Sequence, residues 1–332
     1  MMYHARQLAL SALIPLFLTA CGGSTADSTS TPNSPNIEDS GHNSTPNTPD
    51  IDDSGNYYVL SSASLISDGP ANMDTYDLIE SVLGVGSIEA PDLYGDDNHS
   101  GVKHITEDND NQVGDYFRFT IHRDLDGDRD TGKTDRQRNE IKVYDKSKDS
   151  LKGFMDTTFE YRWKFRIDED LAVTSHFTHL FQLKAVSDFG DPVSQPLVTI
   201  TGNTKSGISG LEIRHVDSRD AKTMLLHTSQ LDIDWASQIQ GQWLEVFVRA
   251  KFSEQGSLEM TVTPLGSVVP LFSVSKQNIE LWRSGSNGST DNFVRPKWGI
   301  YRSLNDKAGL NAGEDEVWFA DFEIKEVQRI AP

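Results

Sequence analysis

Three short stretches of this chain carry residue types that can hold an anion and move a proton beside it: "RQRNEIK" (136–142), "QLK" (182–184) and "RPKWGIYRS" (295–303). The second and third alternate polar with apolar residues for most of their length, the first does so only from Glu140 on, and alternate side chains of a strand project to opposite faces. In the last stretch Arg295, Lys297 and Tyr301 share one face, with Val294, Trp298 and Ile300 on the other. In the first, Arg136, Arg138, Glu140 and Lys142 stand opposite Ile141 and Val143. In "FTHLFQLKAV" (177–186), Gln182 and Lys184 stand opposite Phe177, Phe181 and Leu183. A fourth, "FEYRWKFRID" (159–168), puts Arg162, Lys164 and Arg166 outward and Tyr161, Trp163, Phe165 and Ile167 inward. These faces are cationic in a chain with 50 Asp and Glu against 30 Lys and Arg, a formal charge of −20. For any one strand, outward cations are ordinary solvated residues. As a set they form a cationic groove that would attract a polyanion, while the overall acidity argues against nucleic acid as a partner.

A groove with these groups suits β-elimination on a uronic-acid polymer. Cations or amides neutralise the sugar carboxylate and stabilise the enolate-like intermediate. A base removes the C5 proton, and an acid protonates the departing O4. Tyr, Lys and His can each serve once neighbours have shifted their pKa values.

The motifs resemble the three strand signatures of the jelly-roll polysaccharide lyases, the group of the alginate lyases, heparin lyase I, the glucuronan lyases and the jelly-roll ulvan lyases. Those signatures are Arg-x-Glu, Gln-x-His and Lys-x-Gly-x-Tyr, in the order found here. Lys297-Trp298-Gly299-Ile300-Tyr301 fits the third and Arg138-Asn139-Glu140 the first, while Gln182-Leu183-Lys184 carries Lys where the second has His. The likeness spans about residues 100–327, and the ulvan lyases are the preferred members. It implies an all-β jelly-roll sandwich with a concave cationic sheet, acting on an anionic, ulvan-type polysaccharide, with alginate or glucuronan as alternatives. It also implies that Tyr301 is the acid and a candidate for the base, that Arg138 and Gln182 hold the substrate carboxylate, and that Glu140 orients Arg138. Lys297 would hold the polymer and depress the pKa of Tyr301. The changed second motif leaves the base open between Lys184, Tyr301 and a histidine. His104, in "HSGVKHITE", is one candidate, and His99 and His122 are weaker ones. His179 shares the parity of Phe177 and Phe181, so it is placed in the core or at its edge, at the margin of the substrate.

"DLDGDRD" sets Asp124, Asp126, Asp128 and Asp130 at alternate positions around Gly127, which suits a structural Ca²⁺. An acidic hairpin loop is the plain alternative, and the chemistry itself requires no cofactor. No cysteine–histidine spacing points to zinc, and neither Gly-x-Ser-x-Gly nor a phosphate loop is present. Two other classes compete: a non-catalytic lipoprotein that captures anionic carbohydrate, and a retaining glucanase. The latter needs two carboxylates about 5 Å apart, and its nearest pair, Glu316 and Asp321, has opposite parity.

The elements that must position these residues are strands. Period-two patterns recur from residue 116 to 327 with Gly-, Asp- and Asn-rich loops between them, and one short helix is expected within 72–84. Ahead of this domain, placed at 57–332, the first twenty residues read as a signal peptide ending in "LTAC". Cys21, the one cysteine, is the expected lipidation site, which implies a membrane anchor at the outer membrane or cell surface, the periplasmic face being possible. Residues 21–56, with the repeat "TPNSPNIEDSG" and "TPNTPDIDDSG", read as a disordered tether. A monomer is expected.

Overall fold

Apolar residues at every second position set most of the domain in strands. The computed structural model describes residues 50–94, 99, 101–187, 194–283 and 292–331. The signal peptide, Cys21 and most of the tether lie outside these. In chain order the elements are β1 (Tyr57–Leu65), α1 (Thr75–Leu83), β2 (Ile88–Glu89), β3 (Ile105–Asp110), β4 (Gly114–His122), β5 (Arg136–Lys142), β6 (Thr158–Ile167), β7 (Thr178–Val186), β8 (Val198–Lys205), β9 (Ile208–Val216), β10 (Lys222–His227), α2 (Trp235–Gln238), β11 (Leu244–Lys251), β12 (Gly256–Pro264), β13 (Phe272–Ile279), β14 (Phe293–Ser303) and β15 (Glu314–Arg329). The expected helix is α1, capped by the Asp74 side chain, which accepts from the Tyr76 N–H.

Two antiparallel sheets result. One runs β13-β12-β11-β6-β15-β4-β3, with β1 also paired to β15, and the other runs β10-β9-β8-β7-β14-β5-β2. The inward faces read from parity meet between them. Trp163 of β6 packs on Phe181 of β7 at a ring-centroid distance of 4.5 Å, and Trp298 of β14 packs on Phe322 of β15 at 5.2 Å. The core faces of β7 and β14 are thus fixed, which fixes the opposite faces as the ones open to a ligand.

The domain begins earlier than residue 57. Asp52 is buried, accepts from the N–H groups of Asn56 and Tyr57, and pairs with Arg249 at 2.9 Å. Parity also cannot say which sheet a strand joins. Arg162 and Lys164 do face outward, but β6 belongs to the first sheet, on the far side of the sandwich from β5, β7 and β14. There they pair with Asp53, Glu323 and Asp321 and border a separate cavity of about 400 Å³.

Gly299 lets β14 and β5 pair closely in the second sheet. Its φ is +141°, and a Cβ there would come within 2.1 Å of the Asn139 carbonyl oxygen. Such a φ is essentially confined to glycine. Gly299→Ala is therefore expected to lower stability by about 1–3 kcal/mol from backbone strain alone, with the clash adding to it. A denaturation midpoint equal to that of the parent chain would contradict this.

Candidate active site

The outer face of the second sheet is organised in rows that cross its strands. One row runs Arg138 (β5), Tyr301 (β14), His179 (β7), Thr201 (β8) and Glu212 (β9). A second runs Lys142, Lys297, Gln182, Thr199 and Arg214 across the same strands. Beyond it, Arg295 pairs with Lys184. Over these rows lies a cleft of about 380 Å³, lined among the described residues by nine Lys or Arg and only two carboxylates, Glu89 and Asp128. The cationic groove inferred from the sequence is present, although two of its expected strand faces differ.

The first difference is His179. The pairing of β7 with β8 skips Leu180, and β14 skips two residues over the same stretch. This bulge reverses the parity upstream of Phe181. His179 therefore faces the cleft beside Tyr301, with ring centroids 5.8 Å apart, and Phe177 lines the cleft too. His179 Nδ1 lies 2.7 Å from Thr201 Oγ1. Burial first, then the positive charges of Arg214, Arg138 and Lys184, hold His179 well below the ordinary imidazole range, with Glu212 opposing.

Tyr301 is clamped by two arginines. Arg136 Nη1 donates to its hydroxyl at 3.0 Å, and the Arg138 guanidinium lies 3.6 Å from its ring centroid. The expected depression of its pKa does not occur. Burial pushes it up, outweighing Arg138 and Arg136, and Asp128 adds to the rise. Lys297, expected to act on Tyr301, is turned elsewhere: its Nζ donates to Glu89 at 2.6 Å and to Glu140 at 2.7 Å.

These contacts belong to a buried charge network beneath the cleft. Glu89 and Glu140 stand directly opposite each other on β2 and β5. Lys142 and Arg129 bind Glu89 at 2.7 and 2.9 Å, and Arg138 binds Glu140 and Asp128, the latter at 2.7 Å. Gln182 donates to Glu140. Lys142 is thus a buried counter-ion instead of a residue on the cleft surface, where the sequence had placed it. Burial alone would raise the Glu89 pKa, but Lys297, Arg138, Lys142 and Arg129 hold it well below the usual carboxylate range. Sequence reasoning missed Glu89 because its strand is two residues long and shows no alternation. It missed Arg129 because that residue turns in a loop with φ +55°.

Lys184 Nζ donates to the Ser194 carbonyl at 2.9 Å. Burial, then Lys297, Arg295 and Arg138, bring its pKa down to about 7, with Glu140 opposing. Arg295 faces Lys184 across the strands, lies over the Tyr144 ring, and has buried Nε and Nη1 atoms with no hydrogen-bond partner among the described residues. Tyr301 lies six positions along β14 from Arg295, about 20 Å of strand.

Of the remaining sequence candidates, Asp128 lines the cleft, and His104, Asp124, Asp126 and Asp130 do not. His104 is fully buried between Asp92 and Asp126. Those two carboxylates outweigh the opposing effect of burial and raise its pKa to about 9, so it is not placed as a base for substrate. The four loop aspartates do not share a site. Asp124 pairs with Arg123 and Lys307, Asp126 with His104 and His122, and Asp128 with Arg138 and Arg129, while Asp130 is exposed.

No protein-family model and no curated protein matches this chain. Among solved structures, a marine PL-14 alginate lyase from Aplysia kurodai superposes with a TM-score of 0.50 at 11% identity, over 81% of this chain and 98% of that one. The fold is a jelly-roll β-sandwich. An endo-β-1,4-glucuronan lyase from Trichoderma reesei gives 0.45 at 15% identity over 67% and 86% of the two chains. An alginate lyase from Pseudomonas aeruginosa gives 0.42 at 15% identity over 73% and 97%.

Because Glu89 is buried and shared by four cations, Glu89→Gln leaves them with Glu140 and Asp128 as their carboxylate partners among the described residues. A loss of about 3–5 kcal/mol is expected. The linkage has a definite sign. A carboxylate whose folded pKa lies below its unfolded value of about 4.5 contributes stability above that pH and loses it as the pH falls through the folded value. Urea titrations from pH 7 down to pH 3 should therefore show the parent losing stability below about pH 4.5, and Glu89→Gln losing less over that range.

Proposed function

We propose that this protein is a polysaccharide lyase that cleaves a uronate-containing anionic polymer by β-elimination at Tyr301 and His179. The observation that carries the reading is the pairing of a protonated phenol with a neutral imidazole on one row of a cleft walled by nine cations. Tyr301, with its raised pKa, suits the acid that protonates O4. His179, with its depressed pKa, suits the base that takes the C5 proton, the electron pair of that bond forming the C4–C5 double bond as O4 leaves. Arg138 under the phenol ring and Arg214 near the imidazole supply the positive potential that offsets the sugar carboxylate. The Aplysia kurodai structure, named as an alginate lyase, supports a reading of this class.

Lys184 and Arg295 are too far along the strand to share one C5 with Tyr301. They suit a more distant position of the cleft, where their positive charges would hold a second anionic group. The preferred polymer is a sulfated uronate of the ulvan type, on the resemblance of the three strand motifs. The lipobox at Cys21 supports a domain tethered to the outer membrane or cell surface.

The purified full chain should generate the ultraviolet absorbance of unsaturated uronate ends on one of ulvan, glucuronan, alginate or heparin. Tyr301→Phe should lower the rate by about 10²–10⁴-fold with the polymer still bound. Tight, salt-sensitive binding without absorbance on any of the four would leave a polyanion receptor instead of an enzyme.

The pH profile separates the two candidate bases. His179 stays neutral to well under pH 6.5 and Tyr301 stays protonated beyond pH 10, so kcat should be flat through neutrality. KM should rise above about pH 7, where Lys184 loses its charge. A kcat that climbs through pH 7 would rule out His179 as the base and the separation of Lys184 from the reacting ring.

A further inference from the structure

Behind the sheet that carries the cleft, four side chains converge with no part in the chemistry above. They are His99, His104, His122 and Asp126, and one ligand atom from each lies within 4.8 Å of all the others. His104 immediately precedes β3, His122 ends β4, and Asp126 lies in the turn after β4. Their nearest approaches are 3.3 Å between the Nδ1 atoms of His99 and His122, 3.0 Å from His104 Nε2 to Asp126 Oδ1, 3.1 Å from His122 Nδ1 to Asp126 Oδ2, and 3.6 Å from His99 Nδ1 to Asp126 Oδ1. Four atoms each about 2.0–2.1 Å from one tetrahedral Zn²⁺ stand about 3.3–3.4 Å apart. The four approaches, at 3.0–3.6 Å, lie near that edge length, and the whole set closes to within 4.8 Å, so a small contraction would bring it onto one ion.

The outer contacts agree. A histidine that ligates through one ring nitrogen donates through the other to a carboxylate. His104, whose Nε2 points inward, places Nδ1 3.1 Å from Asp92 Oδ1. His122, whose Nδ1 points inward, places Nε2 3.3 Å from Glu314 Oε2. The three rings meet edge to face, at interplanar angles of 65°, 82° and 87°, as rings aimed at a common point do, and they are not stacked. Three imidazoles and one carboxylate favour a d-block cation over Ca²⁺, which takes six to eight oxygens.

We infer that His99, His104, His122 and Asp126 form a closed structural site for a divalent transition metal, with Zn²⁺ the best fit. Four protein ligands leave no open position for a substrate. The site would pin the chain at His99 and His104 to the end of β4 and to the turn that follows. That turn reaches the cleft: the Gly127 carbonyl accepts from the Arg138 N–H at 2.9 Å, and Asp128 holds the Arg138 side chain. The metal would thus position Arg138 without touching substrate. This inference stands whether or not the cleft is catalytic.

The test uses the purified full chain, stripped with a chelator and titrated with Co²⁺ and then Zn²⁺. One equivalent of Co²⁺ should give the intense visible absorption of a tetrahedral ion, Zn²⁺ should displace it, and Zn²⁺ should raise the Tm. His99→Gln, which alters a partly exposed ligand and spares the buried ones, should abolish the band. Asp92→Asn should weaken the affinity by about 10–100-fold. The proposal is overturned if the stripped, folded chain binds neither ion. It is equally overturned if His99→Gln and Asp126→Asn leave binding unchanged, or if Ca²⁺ raises the Tm where Zn²⁺ does not.

Discussion

The site depends on an electrostatic arrangement that is unfavourable in isolation. Glu89 and Glu140 face each other across β2 and β5, where like charges directly opposite destabilise a sheet. Both are removed from water, which adds a desolvation cost. The Lys297 ammonium between them, with Arg138, Lys142 and Arg129 around them, reverses the balance. The cations of the cleft floor are therefore in place before any polyanion arrives. Positive potential fixed in advance needs no reorganisation when charge develops on a ligand, and this is the form in which electrostatics contributes most to a reaction.

Much of this arrangement was legible in the alternation of residues. The core faces of β5, β6, β7 and β14 follow parity, and Trp163, Phe181 and Trp298 meet where alternation puts them. Three physical features broke the reading. A bulge in β7 adds a residue to one strand only, so His179 changed faces although nothing in "FTHLFQLK" marks it. Membership of a sheet is set by long-range pairing, so Arg162 and Lys164 ended on the far side of the sandwich. Asp124 to Asp130 alternate in sequence but occupy a turn with Arg129 at positive φ, where alternation no longer implies a shared side. That same turn gives Asp126 to one cluster and Asp128 to another.

The contrast in charge within the molecule also has a physical role. A chain of net −20 repels polyanions over most of its surface, and a cleft of nine cations draws them to one place. Beyond about 8–10 Å at moderate salt the exposed charges are screened. The buried network beneath the cleft is screened far less, so its geometry should persist where the attraction above it has weakened.

The cross-strand rows set a scale of their own. Arg138, Tyr301, His179 and Thr201 occupy four successive strands, and neighbouring strands lie about 4.8 Å apart. A pyranose chain laid perpendicular to the strands would advance by roughly one ring for each strand it crosses. The hydrogen-bond ladder of the sheet then acts as a ruler. Under the function proposed above, sugar rings would be counted by backbone pairing, and the identity of each position would be set by which side chain a given strand raises into the row. Exchanging specificity between related proteins of this build would accordingly be a matter of changing single residues within one row, with the spacing left intact by the ladder.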